Sequence, residues 1–256
     1  MKDVDAWILN KKVFESLNLR LYEGDNTVII GPNGAGKSAL IKLIERSIYP
    51  VVKENSFIKI FGVQNINLWD LRRQIGFVSK DLEDRIPSNI KSRSLIATGY
   101  YGTNKLHNDH KLSKGQEKRV EYLLSELSLE SLANNKYSEL SSGQKRAILI
   151  ARSIVNNPKI IILDEPLCNL DFKCKSYLLS KLNKLHDSGI TLLQVTHNLD
   201  SINSRTNRII ILNNGKIVKD GNPHECLRSE IISNVYNTPL SVKTYRNYWQ
   251  VFSVVK

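Results

Sequence analysis

One octapeptide constrains this chain more than any other stretch. Gly31-Pro32-Asn33-Gly34-Ala35-Gly36-Lys37-Ser38 fits the pattern G-x-x-x-x-G-K-[ST] of a phosphate-binding loop. The apolar run Val28-Ile29-Ile30 leads into it as a buried strand, and Leu40, Ile41, Ile44 and Ile48 follow at helical spacing. Strand, loop and helix is the context the pattern requires. Glycines let the backbone curl so that its N–H groups converge on an anion, and the helix N-terminus adds partial positive charge. Lys37 is placed to reach the outer phosphates of a nucleotide, and the Ser38 hydroxyl to ligate Mg²⁺. The helix is expected to end near Tyr49-Pro50.

A second stretch supplies acid. Ile160-Ile161-Ile162-Leu163 reads as a buried strand with Asp164 and Glu165 at its C-terminal end, closed by Pro166. In open α/β sheets ligands bind at that edge, where the loop at 31–38 also lies. Asp164 would hold Mg²⁺ through its water shell, and Glu165, one residue on, could polarise an attacking water. No Asn-Lys-x-Asp guanine reader is present. His197 ends the apolar strand 191–196 at the same edge, where a lone histidine is more often structural than catalytic. Trp7 either stacks on a base or covers a sheet edge.

Two stretches compete for a further role. Leu140-Ser141-Ser142-Gly143-Gln144 and Leu112-Ser113-Lys114-Gly115-Gln116 both carry Ser-x-x-Gln, the capping box of a helix start. A capped N-terminus with glycine can bind phosphate. Only the helix after Gln144 runs directly, past Asn156-Asn157-Pro158, into the carboxylate strand, and this favours 140–144.

The 256 residues suffice for one large domain or two small ones, and 41% apolar composition permits a sizeable core. The formal charge of +12 is spread evenly, unlike a nucleic-acid arm or a polybasic tail. Cys168, Cys174 and Cys226 form no C-x-x-C pair, which argues against a zinc site or a disulfide framework and for a reducing compartment. Met1-Lys2-Asp3-Val4-Asp5 lacks a signal-peptide pattern, and no run approaches the ~18 apolar residues of a membrane span.

The order of elements predicts an α/β fold, a P-loop NTPase core with a mainly parallel sheet. Short strands at 6–9, 13–14 and 17–21 form an N-terminal antiparallel β subdomain, and further strands fall at 57–61, 75–79, 160–163, 191–196 and 209–212. Helical periodicity at 117–127 and 173–185 and fading strand signals over 81–157 mark a helical insertion. Asn214-Gly215 is a hairpin turn. The expected layout within 1–256 is a nucleotide-binding core at 1–80 and 158–225, a helical subdomain at 81–157 and a tail at 226–256 whose role is not readable.

Together GPNGAGKS, LSSGQ, IIILDEP, Asn169-Leu170-Asp171 and His197, in that order over roughly 5–225, resemble the ATP-binding-cassette (ABC) ATPases. The resemblance implies ATP and Mg²⁺ as ligands, with Gly31 to Ser38 around the phosphates and Trp7 as the adenine-stacking aromatic. It implies Ser38 and Asp164 as metal ligands, with Lys37, Glu165 and His197 as catalytic residues, His197 at the γ-phosphate. Such enzymes work as head-to-tail dimers, so Ser141, Ser142, Gly143 and Gln144 of one copy, with Asp171 in the dimer-communicating loop, would close on ATP held by the other. Three positions depart from the family pattern: Lys80 where Gln is usual, Ser142 for the signature's first Gly, and Cys168 for Ser. A lysine has no acceptor for a cation, so Lys80 either swings out toward Asp81, Glu83 or Asp84, the outcome expected here, or contacts the γ-phosphate as a second cation beside Lys37. The function this implies is the ATP-hydrolysing subunit of an ABC transporter, most simply a homodimer on the cytoplasmic face of a membrane-spanning partner. The alternative is a soluble cassette acting on nucleic acid, ribosomes or regulation, which Lys80 would suit; a small-molecule kinase would leave LSSGQ without a role.

Overall fold

The computed structural model describes residues 1–106, 110–246 and 248–254. In chain order the main elements are β1 (Val4–Ile8), β2 (Lys11–Leu17), β3 (Asn26–Ile30), α1 (Lys37–Ile44), α2 (Leu68–Gln74), β4 (Ile75–Val78), α3 (Lys80–Glu83), α4 (Ser92–Thr98), α5 (Lys114–Glu126) and α6 (Ser142–Ile154). They continue with β5 (Ile160–Asp164), α7 (Phe172–Asp187), β6 (Thr191–Thr196), β7 (Arg208–Asn213), β8 (Lys216–Gly221), α8 (Pro223–Cys226), α9 (Ser229–Tyr236), β9 (Leu240–Tyr245) and β10 (Tyr248–Ser253). The chain forms two compact units, 1–68 with 191–256, and 69–190.

In the first unit β3 lies between β6 and β7, parallel to both, and β8 returns antiparallel to β7. Every residue of β3 and β6 is buried, the polar Asn26, Thr27, Thr191, Gln194 and Thr196 among them, so these strands show no alternation of buried and exposed positions. β1 and β2 pair antiparallel as expected at the N-terminus. The tail, which the sequence left without a role, covers one face of this sheet. Cys226, Leu227, Ile232, Val235 and Trp249 pack with Val28, Ile30, Ile209 and Ile211. β9 and β10 pair antiparallel and deliver Trp249, 4% exposed, into that cluster. At ~25 cal/mol per Å² and roughly 200 Å² of ring, its burial contributes about 5 kcal/mol.

The second unit has β4 parallel to β5 and a helical layer. α6 is its centre, buried without interruption from Ala147 to Ile154. Arg152 lies inside that run. Its Nε donates to Thr98 Oγ1 at 2.9 Å and its Nη2 to Thr103 O at 2.9 Å, and burial pulls its guanidinium down to about 10. α7 holds the end of α5: Lys181 Nζ donates to Glu126 O at 2.7 Å, and the Tyr177 hydroxyl donates to Leu127 O. These bonds satisfy carbonyls that a helix C-terminus otherwise leaves open.

Three expectations fail. Residues 17–21 are not a strand beyond Leu17, where β2 ends. Leu17 and Leu19 do point inward, but the backbone of Leu19 pairs with the N-terminus, accepting from the Met1 ammonium at 2.8 Å and donating to Met1 O. Alternation reports which side faces the core, not whether a ladder partner exists. Residues 57–61 make only isolated bridges, Phe57 to Lys2 and Ile60 to Val63, while the Arg46 guanidinium takes Ile58 O and Gln64 O at 3.0 Å each. The P-loop helix stops at Ile44, before Tyr49-Pro50, because Arg46 turns left-handed (φ 60°) and Ser47 and Ile48 donate back to Lys42 O. The sequence reading also missed α2, α3, α4 and the strand pairing of the tail. The first three are short, so their periodicity is weak.

Candidate functional site

The loop at 31–38 stands on a rigid base. A Cβ built on Gly31 would lie 2.0 Å from Leu212 O of β7, so only glycine allows that approach. Gly36 caps α1 at φ 105°, outside the reach of ordinary side chains, with the Phe14 ring 3.0 Å from the place a Cβ would take. The β7–β8 turn props the loop from below: Gly215 N–H donates to Ala35 O at 2.9 Å. Asn214-Gly215 read as a hairpin in sequence, and no local pattern shows that its glycine holds another loop.

Lys37 is 8% exposed. Its ammonium donates to Gly31 O at 2.7 Å and Pro32 O at 3.0 Å, curled over the loop's own carbonyls. These bonds hold a cation over the loop at the N-terminal end of α1, which suits a polyanion. Ser38 follows in the first turn of α1.

The register brings a second predicted residue to the same edge. Ile30 stands beside Thr196 on β6, so the chain enters the P-loop from β3 and leaves β6 at His197 at one level. His197 is exposed, and Thr196 Oγ1 accepts from Asn198 N–H at 3.0 Å to turn the chain there. Trp7 is 48% exposed; its neighbour Ala6 on β1 faces inward opposite Phe14. Period-two alternation thus presents the indole outward, available to a ligand.

In the second unit Asp164 closes β5, half-buried. Glu165 follows with φ 48°, a left-handed conformation that non-glycine residues rarely adopt, and its carbonyl accepts from Cys168 N–H at 3.2 Å. Backbone outliers of this kind concentrate at functional sites. Because Val78 stands beside Leu163, β4 delivers Ser79 and Lys80 to the edge that carries Asp164 and Glu165. Ser79 caps α3 by accepting from Leu82 N–H at 3.3 Å, and Lys80 opens that helix, exposed. Glu83, one of the acids expected near Lys80, stands 3.6 Å from Arg146 of α6.

The signature stretch forms the predicted capping box. Ser141 Oγ accepts from Gln144 N–H at 3.3 Å, and Gln144 Oε1 accepts from Ser141 N–H at 2.9 Å. Ser141 and Ser142 are exposed; Gly143 is buried. Asp171 caps α7, its Oδ1 accepting from Cys174 N–H at 2.8 Å, and that bond holds the carboxyl below the usual range.

Ser38 in the first unit and Asp164 in the second are donor types that Mg²⁺ takes. Among the described residues no group of three or more His, Cys, Asp or Glu could hold an ion by itself. One hydroxyl and one carboxylate suit Mg²⁺, which takes few protein ligands and fills its shell with water and phosphate oxygens.

A family profile described as "ABC transporter" matches residues 14–168. A protein of Streptococcus mutans serotype c described as an ABC transporter ATP-binding protein is 31% identical over 245 residues, covering 94% of this chain and 93% of its own. The zinc uptake system ATP-binding protein ZurA of Listeria monocytogenes serovar 1/2a is 32% identical over 217 residues, 82% of this chain and 80% of its own. The dimeric structure of a bacterial ABC transporter cassette superposes with a TM-score of 0.72 at 26% identity, over 86% of this chain and 97% of that one.

Proposed function

The chain belongs to the ABC transporter family of ATP-binding proteins, and from that premise we propose how its own residues bind and hydrolyse ATP. The observation that carries the reading is the P-loop: glycines admitted by close backbone approach and a nearly buried lysine at its mouth. Lys37 exchanges its bonds to Gly31 O and Pro32 O for phosphate oxygens, a stronger charge-assisted pairing. The loop N–H groups and the α1 N-terminus take the remaining charge. Trp7 stacks on the adenine.

Ser38 and Asp164 would hold Mg²⁺, which when bound neutralises charge on the transferring phosphoryl group. Glu165 orients the attacking water and takes its proton, and His197 donates to the γ-phosphate from the end of β6, beside β3. Ser141, Ser142, Gly143 and Gln144 of a second copy, with its Asp171, close the site from the other side. That copy binds head to tail, and the dimer drives a separate membrane-spanning chain from the cytoplasmic face. No helix among the described residues is long and apolar enough to cross a membrane. The cargo is chosen by that partner.

General-base catalysis contributes roughly 10²–10⁴-fold. Glu165→Gln should retain ATP binding, lose turnover by that factor and accumulate as an ATP-bound dimer in gel filtration. Wild-type turnover in this variant would remove Glu165 from the role.

A further inference from the structure

We propose that Cys174, in the first turn of α7, is a positioning residue that locks the signature helix to the Asp171 loop, so that Gly143 and Asp171 approach the second nucleotide as one body. This rests on the assignment of 140–144 and Asp171 to the composite ATP site. Two contacts meet at Cys174, both inside the second unit. Its backbone N–H donates to Asp171 Oδ1 at 2.8 Å, the cap that starts α7. Its side chain lies against Gly143: a Cβ built there would stand 2.6 Å from Cys174 Sγ and 3.1 Å from Cys174 Cβ. Gly143 is therefore glycine on its inner side because of Cys174, whatever its outer side meets.

The chemistry of the thiol suits the task. Burial first, and then its hydrogen bond to Asp171, push the Cys174 thiol up, so it stays a neutral, compact apolar group at neutral pH. A larger side chain at either position would force α6 and α7 apart at their N-termini. Because close packing transmits small displacements, the exposed Ser141 and Ser142 would shift with them. The rival stretch has no such lock, since a Cβ on Gly115 would meet only Ser113 Oγ of its own cap, at 3.8 Å.

The test is a compensation experiment in the full chain. Gly143→Ala should lower turnover at saturating ATP by about tenfold or more, the mid-range of coupling between residues in contact. Gly143→Ala/Cys174→Ala should recover most of that loss, because removing the sulfur leaves only the 3.1 Å carbon contact, which a few tenths of an ångström relieves. Affinity for a fluorescent ATP analogue, read at the P-loop, should fall by a smaller factor than turnover in Gly143→Ala, so that the larger part of the deficit falls on turnover. Circular dichroism confirms folding, and Cys174→Ala alone supplies the baseline for the cycle. A folded double variant no more active than Gly143→Ala, beside an active wild type, overturns the lock and leaves the ATPase assignment standing. Turnover in Gly143→Ala equal to wild type overturns it as well. A wild-type protein without ATPase activity overturns both.

Discussion

α5 and α6 begin alike and end up in different places. Each has a Ser cap, a glycine in its first turn and a Gln that completes the box, and the two boxes share bond patterns and nearly equal distances. α5 buries only Val120, Leu123 and Leu124, while α6 is buried from Ala147 to Ile154 and its Gly143 abuts Cys174. Local capping chemistry therefore specifies where a helix starts but not what its N-terminus is for. Burial of the helix body makes α6 a fixed platform, and its two exposed serines are what it presents.

The sharpest way to break this comparison is bulk at the caps. Ser141→Arg should reduce ATPase activity by about a hundredfold, the scale of losing a phosphate-facing donor, by obstructing the composite site. Ser113→Arg should leave turnover near wild type and weaken its helix start by about 1 kcal/mol. The reverse ranking in a steady-state assay would transfer the role to 112–116.

Glycine substitutions give a smaller effect with opposite signs. Gly143→Ala should destabilise by about 1–3 kcal/mol through overpacking against Cys174. Gly115→Ala, in an exposed first turn with open space, should stabilise by about 0.5–1 kcal/mol. Thermal unfolding reads both, and shifts of the same sign would show that the two environments do not differ as described.

The caps themselves should not discriminate. Ser113→Ala and Ser141→Ala should each lose about 1 kcal/mol in urea unfolding, since each removes one acceptor from an exposed helix start. A clearly larger loss at Ser141 would mean its hydroxyl has a structural duty beyond the box.

Much of the local structure around the candidate site was legible in the residues because it depends on local patterns. The P-loop needs glycines and a lysine at set spacing, a buried parallel strand needs an apolar run, and a capped helix needs Ser-x-x-Gln; each is a contiguous signal. Thr191–Thr196 was read to the residue, and Ile160–Asp164 to within one. The identity of the family was legible for the same reason, and the comparisons agree with it.

What only the tertiary structure decided are matters of partnership between distant residues. Residues 17–21 and 57–61 carry strand patterns, yet beyond Leu17 the former meet the N-terminus at Leu19, and the latter make isolated bridges and give Ile58 O to an arginine. The tail's apolar residues became intelligible once β3 and β7 offered a face for Trp249 to cover. Gly215 under Ala35, Phe14 under Gly36 and Cys174 against Gly143 are contacts across 180, 22 and 31 positions. No local periodicity encodes them, because close packing selects size and shape at a point in space, and a sequence records only order along the chain.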